Sequence, residues 1–480
     1  MTLKDLFPNA PPGEGARTVT GLTADSRKVR PGFVFAALKG VAADGQDYIP
    51  QAVEAGAIAV LSDREAETGP AALILDAEPR LALAKAAARF SGGQPDCMVA
   101  ITGTNGKSST VDFLRQIWAY AGKRAASMGT LGAVGPDGVI DLGHTTPDPV
   151  AIHETLAQLA RQGVTHCAME ASSHGLVQYR LDAVKLSAVA FTNFTQDHLD
   201  YHPTMEAYLA AKLRLFRELA PHGIPAVINA DSDTRTPFEQ AAVAAGLKPV
   251  SVGWRGQDLK IAELMPRATG QRLFLKWAGE EETVELPLIG EFQALNALTA
   301  AGLALALGMD FDTVARGMAA LKPVKGRLEY VGETAEGAGV FVDYAHTPDG
   351  LDTLLRAARP HTAGRLVVVF GCGGDRDALK RPIMGEVAMR QADLVIVTDD
   401  NPRSEDPAAI RAAILEGAPG AREIGDRAEA IRAGVAELGA GDTLLIAGKG
   451  HETGQIVGAQ VLPFSDQDEA LKALKEAANG

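Results

Sequence analysis

The chain has 480 residues, 46% of them hydrophobic and 22% charged, a length that suggests about three domains of ordinary size. A formal net charge of −14 argues against broad binding to nucleic acid or to an anionic membrane surface, while leaving room for local basic pockets. Cys97, Cys167 and Cys372 lack C-x-x-C spacing and read as small buried hydrophobes in a reducing compartment, not as disulfides or a zinc site. No run approaches the roughly 18 apolar residues of a membrane span, and the start Met-Thr-Leu-Lys-Asp-Leu-Phe-Pro has no apolar signal segment. The expectation is a cytoplasmic monomer with no nucleic-acid partner and no membrane insertion.

Residues 1–92 carry short apolar runs at 33–38, 57–61 and 72–75, with a helical stretch at 49–57. Strands alternating with helices predict a small α/β domain. The Thr-Ala-Asp-Ser-Arg-Lys stretch at 23–28 is polar and reads as a solvated turn. Ser-Gly-Gly at 91–93 and Pro95 mark a linker.

The apolar run 98–101 reads as a buried strand. It breaks into Gly103-Thr104-Asn105-Gly106-Lys107-Ser108-Ser109, and a helical pattern follows. A strand, a glycine turn and a helix N-terminus make an anion cradle, because backbone N–H groups and the helix dipole point at phosphate. Lys107 would reach the outer phosphates and the Ser108 hydroxyl would sit on Mg²⁺. The glycines stand closer together than in G-x-x-x-x-G-K-[ST], so the generic motif is matched only in part.

Between 93 and 328, polar clusters follow apolar runs at 144–148, 168–175, 188–198 and 227–231. In an open parallel sheet such clusters gather at the carboxyl ends of strands. Glu170 and Ser108 then become candidates for one Mg²⁺, with Asn193, Asp197 and His198 nearby. The stretch 208–216 reads as an amphipathic helix, whose spacing alone leaves Lys212 on a solvated face. Residues 290–297 open another helix carrying Asn296, and Lys325-Gly-Arg327 ends the segment in a loop. From 329 to 480, strand-like runs empty into Gly371-Cys-Gly-Gly-Asp-Arg376, Asp399-Asp-Asn-Pro-Arg403 and Gly448-Lys-Gly-His-Glu452. This predicts a doubly wound sheet with its site at the loops. The glycines at 371–374 do not match G-x-G-x-x-G, so NAD is not inferred.

Gly103-Thr-Asn-Gly-Lys-Ser, Met169-Glu-Ala-Ser-Ser-His, Asp197-His-Leu-Asp-Tyr-His202, Asp343-Tyr-Ala-His-Thr-Pro348 and Gly448-Lys-Gly-His-Glu452 occur in this order. Together they closely resemble the Mur ligases of peptidoglycan synthesis, over essentially the whole chain. Within that family the resemblance is to the branch that extends UDP-N-acetylmuramoyl-L-alanyl-D-glutamate (UDP-MurNAc-L-Ala-D-Glu) by a third residue. It implies an α/β fold of three domains. These are a small N-terminal α/β domain for the UDP moiety (1–92), a central P-loop ATPase with a doubly wound sheet (93–328) and a C-terminal Rossmann-like, amino-acid-binding domain (329–480). It also implies an ADP-forming amide ligase in which ATP phosphorylates a carboxylate and an amine attacks the acyl phosphate.

By the same resemblance, Ala24 (through its backbone), Ser26 and the loop Val41, Ala42 and Ala43 contact UDP. His144, Thr145, Thr146, Ser172, Gln178 and Arg180 contact the muramoyl-dipeptide; His144 departs from the Asn often found in relatives. Asn296, Arg327 and Asp343 hold ATP with the loop 103–109. Ser108, Glu170, His198 and Lys212 surround Mg²⁺, and Lys107, His198 and Lys212 are catalytic. Lys212 resembles a carbamylated lysine (N6-carboxylysine), which requires an amine pushed below its ordinary pKa of about 10.4.

Asp400, Asn401, Pro402 and Arg403 resemble a meso-2,6-diaminopimelate recognition motif, with Arg376, Gly448 and Glu452 beside it. Diaminopimelate ends in a second amino-acid head, so Arg403 and Arg376 would grip its carboxylate, while Asn401, the Gly448 carbonyl and Glu452 take its ammonium. The alternatives are a lysine-adding ligase of the same branch, a folylpolyglutamate synthase, a P-loop ATPase or kinase acting on another small molecule, and a non-catalytic nucleotide-binding scaffold.

Overall fold

A computed structural model describes residues 1–40, 43–198 and 201–479. The chain divides into two compact units. One comprises Met1–Lys260 with Leu298–Val314, the other Ile261–Ala297 with Ala315–Gly480.

The first unit begins with four parallel strands, Gly21–Thr23, Phe33–Ala36, Ala59–Ser62 and Ala72–Leu75, paired in chain order. Leu3, Leu6, Val34, Leu61, Ile74 and Leu83 form part of the core on one face of this sheet. The linker follows the helix Pro79–Ser91, which Gly92 closes in a left-handed conformation (φ 74°), as helix ends commonly do.

The larger sheet of this unit runs Lys248–Gly253, Pro225–Asn229, Ala188–Phe191, Cys97–Thr102, His166–Glu170, Ala125–Gly129, all parallel. A short antiparallel meander, Gly132–Gly135 and Gly138–Ile140, follows. The central strands are buried on both faces, which is why they read as continuous apolar runs without alternation. Their register places the site: Phe191 pairs with Thr102, and Ile101 with Glu170. Three strands therefore release their next residues, Thr192, Gly103 and Ala171, at one edge. The chain leaves Cys97–Thr102 toward one side of the sheet and returns on the other with Ala188–Phe191, the kind of switch point where α/β sheets bind ligands.

In the second unit the sheet order is Glu329–Glu333, Gly339–Asp343, Thr443–Ala447, Leu366–Phe370, Leu394–Val397, Arg422–Glu423, with only the first pairing antiparallel. Asp343, Ala447, Phe370 and Val397 stand level, so the loops that follow them share one edge. Apolar side chains cover both faces. An antiparallel hairpin, Gly270–Trp277 and Glu280–Leu286, belongs to the same unit. Cys97, Cys167 and Cys372 are free thiols, and burial pushes Cys167 and Cys372 up to about 12.

Candidate active site

The phosphate loop is stapled to the neighbouring strand end. Asn193 accepts the Asn105 N–H at 2.9 Å through its side-chain oxygen and returns a bond to the Asn105 carbonyl at 3.1 Å. The Thr192 hydroxyl donates to that same carbonyl at 2.6 Å. A Cβ at Gly103 would overlap Thr192 Oγ1, so the close approach of the two loops requires glycine there. Gly106 caps the helix Lys107–Tyr120 with φ 82°. Lys107 folds back over the loop, donating to the carbonyls of Gly103 (2.9 Å) and Thr104 (2.8 Å).

Ser108 and Glu170 meet directly: Ser108 Oγ donates to Glu170 Oε1 at 2.8 Å, and the Thr130 N–H donates to the same oxygen at 2.9 Å. A Cβ on Gly129 would collide with this carboxylate. A hydroxyl beside a carboxylate at a phosphate loop, in a niche kept open by a glycine, is a hard-oxygen donor set that fits magnesium. His198 is not drawn to that pair. Its side chain is 44% exposed, lies 3.4 Å from Asp197 Oδ2, and its ring packs edge-on against His174. Among the described residues no group of three or more His, Cys, Asp or Glu forms a cage.

Helical spacing put Lys212 on a solvated face, and the structure corrects this. Lys212 is 1% exposed, because its helix, Met205–Arg214, packs this side against the phosphate loop. Its Nζ donates to the Gly103 carbonyl at 2.7 Å and lies 4.4 Å from the centre of the Tyr208 ring. Burial, and then the charge of Lys107, push its pKa well below that of an ordinary lysine. The helix continues as one wide turn over Leu215–Leu219.

Of the residues expected around the muramoyl-dipeptide, all but His144 are linked by hydrogen bonds around Glu170 and Thr146. Thr146 Oγ1 donates to the Glu170 carbonyl at 3.2 Å, and Thr145 and Thr130 share a hydroxyl bond of 3.0 Å. Ser172 caps the short helix Ser173–Val177. Arg180 donates to Gln178 Oε1 and to the Thr146 carbonyl, and among the described residues it has no carboxylate partner. Burial lowers its pKa. His144 is exposed and is held by no bond to this network. Ser26 Oγ donates to Gln51 at 3.0 Å, while Ala24 and Ala43 are exposed. Val41 and Ala42 lie outside the described residues.

In the second unit, Asn296 donates to Gln293 (3.1 Å), and Gln293 to the Arg327 carbonyl (2.9 Å). The Arg327 guanidinium lies over the Tyr344 ring. Asp343 accepts the N–H groups of Leu328 and Ala345, so one half-buried carboxylate ties these stretches together; desolvation raises its pKa. Gly326 packs on the Gly450–His451 backbone, where a Cβ would overlap the His451 nitrogen.

Arg403 sits in the left-handed region (φ 53°), its backbone bonded to Ile456 and Gly458. Its Nη1 donates to the Gly374 carbonyl at 2.8 Å, and among the described residues it forms no ion pair. Arg376 donates to the Asp375 carbonyl at 3.3 Å. The glycines at 371–374 serve this pocket: a Cβ at Gly374 would overlap the Pro402 carbonyl, and one at Gly373 would lie 2.7 Å from Arg403 Nη1. The expected role of Asn401 needs correction. Its Oδ1 is already taken by Lys449 Nζ and the Ile456 N–H, both at 2.9 Å, and its amide donates to Glu452 Oε2 at 2.8 Å. Asn401 thus presents its amide as a donor, directed at Glu452.

Sequence reading missed Gly129, Thr130, Thr192 and Lys449. Gly129 and Thr192 directly follow or end strands, which was the available signal; the bond from Thr130 to Glu170 depends on the register of two strands and left none.

Three family models match the chain: the catalytic domain of the Mur ligase family over residues 18–91, the Mur ligase middle domain over 101–304, and the Mur glutamate ligase domain over 326–450. The chain belongs to the Mur ligase family, and it is an ATP-dependent enzyme that forms amide bonds. It is 54% identical to the UDP-N-acetylmuramoyl-L-alanyl-D-glutamate–2,6-diaminopimelate ligase of Bradyrhizobium diazoefficiens, across 99% of both chains. The enzyme of that name from Caulobacter vibrioides is also 54% identical, across 98% of both. A solved structure of a ligase so named superimposes with a TM-score of 0.76 at 33% identity, covering 99% of each chain.

Proposed function

We propose that this chain joins meso-2,6-diaminopimelate to the D-glutamyl carboxylate of UDP-MurNAc-L-Ala-D-Glu, using ATP, in peptidoglycan precursor synthesis in the cytoplasm. The observation that carries the choice of amino acid is Arg403, a guanidinium fixed by its own backbone pairing and by the Gly374 carbonyl, which forms no ion pair among the described residues. Diaminopimelate brings a distal carboxylate to that position, and lysine does not. An unmet guanidinium penalises lysine, since a charged hydrogen bond contributes roughly 1.5–3 kcal/mol.

In this reading residues 1–92, 93–328 and 329–480 take the UDP moiety, ATP and the amino acid in turn. The loop amides at 103–109 and Lys107 hold the phosphates, with Lys107 exchanging its loop carbonyls for phosphate oxygens. Arg180 and Thr146 orient the dipeptide. Asn296, Arg327 and Asp343 hold ATP. Ser108 and Glu170 would hold Mg²⁺, which when bound neutralises charge on the transferring phosphoryl group. The glutamyl carboxylate oxygen attacks the γ-phosphorus, ADP leaves, and the diaminopimelate amine then attacks the acyl carbon to release phosphate. The Lys212 amine, whose pKa burial pushes well below that of an ordinary lysine, attacks carbon dioxide in its neutral form and loses a proton to become a carbamate.

The test is an amino-acid panel with purified enzyme, UDP-MurNAc-L-Ala-D-Glu, ATP and Mg²⁺. The expected result is ADP release that requires both co-substrates and proceeds with meso-diaminopimelate far faster than with lysine. Faster turnover of lysine, or release of ADP without the dipeptide, would overturn the reading.

A further inference from the structure

Lys449 has no part in the scheme above, although it lies in the loop 448–452. Its side chain is wholly buried. The glycines on either side, Gly448 (φ 120°) and Gly450 (φ 56°), turn the backbone so that the ammonium points inward. A Cβ on Gly448 would lie 2.7 Å from Asp400 Oδ2, and one on Gly450 2.7 Å from Tyr344 Cβ. Lys449 Nζ donates to Asn401 Oδ1 at 2.9 Å and to Glu452 Oε2 at 3.1 Å, and lies 3.8 Å from Asp400 Oδ1.

A core ion pair elsewhere in this unit looks different. Arg427 and Asp466 are both fully buried and satisfy each other. The two direct partners of Lys449 are instead residues of the amino-acid pocket, and Glu452 is 32% exposed. A half-exposed carboxylate on a loop has several rotamers to choose from, and a buried cation behind it removes that freedom. The lysine also fixes the Asn401 amide. With Oδ1 held by Lys449 and Ile456 N–H, the Asn401 NH₂ is directed onto Glu452 Oε2, which leaves Glu452 Oε1 available to a ligand ammonium.

We propose that Lys449 is a positioning residue for the second amino-acid head of the incoming substrate, acting through Asn401 and Glu452 without touching the ligand. The proposal rests on the function assigned above.

The experiment measures KM for meso-diaminopimelate, ATP and UDP-MurNAc-L-Ala-D-Glu in the parent, Lys449→Met, Lys449→Gln, Glu452→Gln and the double variant Lys449→Met/Glu452→Gln. If the parent does not use meso-diaminopimelate, the assigned function fails on its own account, whatever Lys449 does. Otherwise Lys449→Met should raise KM for meso-diaminopimelate by about tenfold or more, the scale of one charged hydrogen bond, with the other two KM values within about twofold. Lys449→Gln keeps N–H donors and should fall between. In the Glu452→Gln background Lys449→Met should add less than about threefold, because the group it acts through is already altered. Equal changes in all three KM values, a loss confined to kcat, or additive effects in the double variant would overturn the proposal. So would failure of both single Lys449 variants to fold, which would make the lysine a support of the core.

Discussion

Gly129→Ala is a sharp test of the Ser108–Glu170 pair, because it leaves every polar group in place. An added Cβ would overlap Glu170 Oε1 and lie 2.5 Å from Cδ and 2.6 Å from Cγ, against the 3.0 Å that real Cβ atoms keep. The obstacle is the end of a flexible side chain, so the sheet can persist while the carboxylate swings away by on the order of 1 Å. At that distance the bonds to Oε1 from Ser108 Oγ (2.8 Å) and Thr130 N–H (2.9 Å) pass beyond hydrogen-bonding range. Each contributes roughly 1.5–3 kcal/mol as a bond to a charged group. Losing one at the transition state lowers kcat/KM about 10- to 150-fold, and losing both about 10²- to 10⁴-fold. The assay is coupled ADP release across a Mg²⁺ titration, with thermal unfolding as a control for the fold. A stable variant whose kcat/KM and Mg²⁺ half-saturation stay within about threefold of the parent would refute the reasoning.

Lys212→Ala should lose most activity and regain part of it in excess formate or acetate, which replaces the carbamate's carboxylate; a fully active variant ends that assignment. Arg403→Ala should raise KM for meso-diaminopimelate about 10- to 150-fold, far more than KM for ATP, and equal effects would count against its role. His361 accepts the Gly290 N–H through Nε2 and donates from Nδ1 to the Arg267 carbonyl, so it is the neutral form that fits, and burial pushes its pKa below 6.5. Because the unfolded chain binds this proton first, stability is intact above about pH 6.5 and is lost as pH falls from there toward the folded value. His361→Gln should therefore shallow the acid side of a melting-temperature profile, and an unchanged slope would refute the assignment.

The parallel strands were legible because their burial on both faces writes them as apolar runs, and the phosphate loop because a glycine turn before Lys107-Ser108 has few other uses. Strands at 259–267, 270–277 and 280–286 were not, since Glu280-Glu-Glu and Lys260 on exposed positions break up any apolar run. The glycines at 371–374 were visible but their purpose was not. They look like a phosphate fingerprint, yet what each admits is a backbone or side-chain atom of the loop 398–403, more than twenty residues away in sequence. Lys212 failed for a related reason. Helical periodicity names a face but not what that face meets, and here it meets the Gly103 carbonyl more than a hundred residues earlier.

The buried and half-buried cations divide by where their counter-charge comes from. Arg214, Arg427 and Lys449 each meet a carboxylate of the protein, and each is thereby held and holds its partner. Among the described residues Lys212, Arg180 and Arg403 form no ion pair and bond to carbonyl or amide oxygens, with an aromatic ring also against Lys212. Burying a charge against dipoles alone costs several kcal/mol, a cost that selection tolerates where an anion from outside repays it. The chemistry proposed here supplies one for two of them: the dipeptide's carboxylate for Arg180 and the distal carboxylate of diaminopimelate for Arg403. For Lys212 no substrate anion is needed. Carbon dioxide converts the amine itself into the anion, and the depressed pKa that makes the lysine a poor cation is what makes it a competent nucleophile.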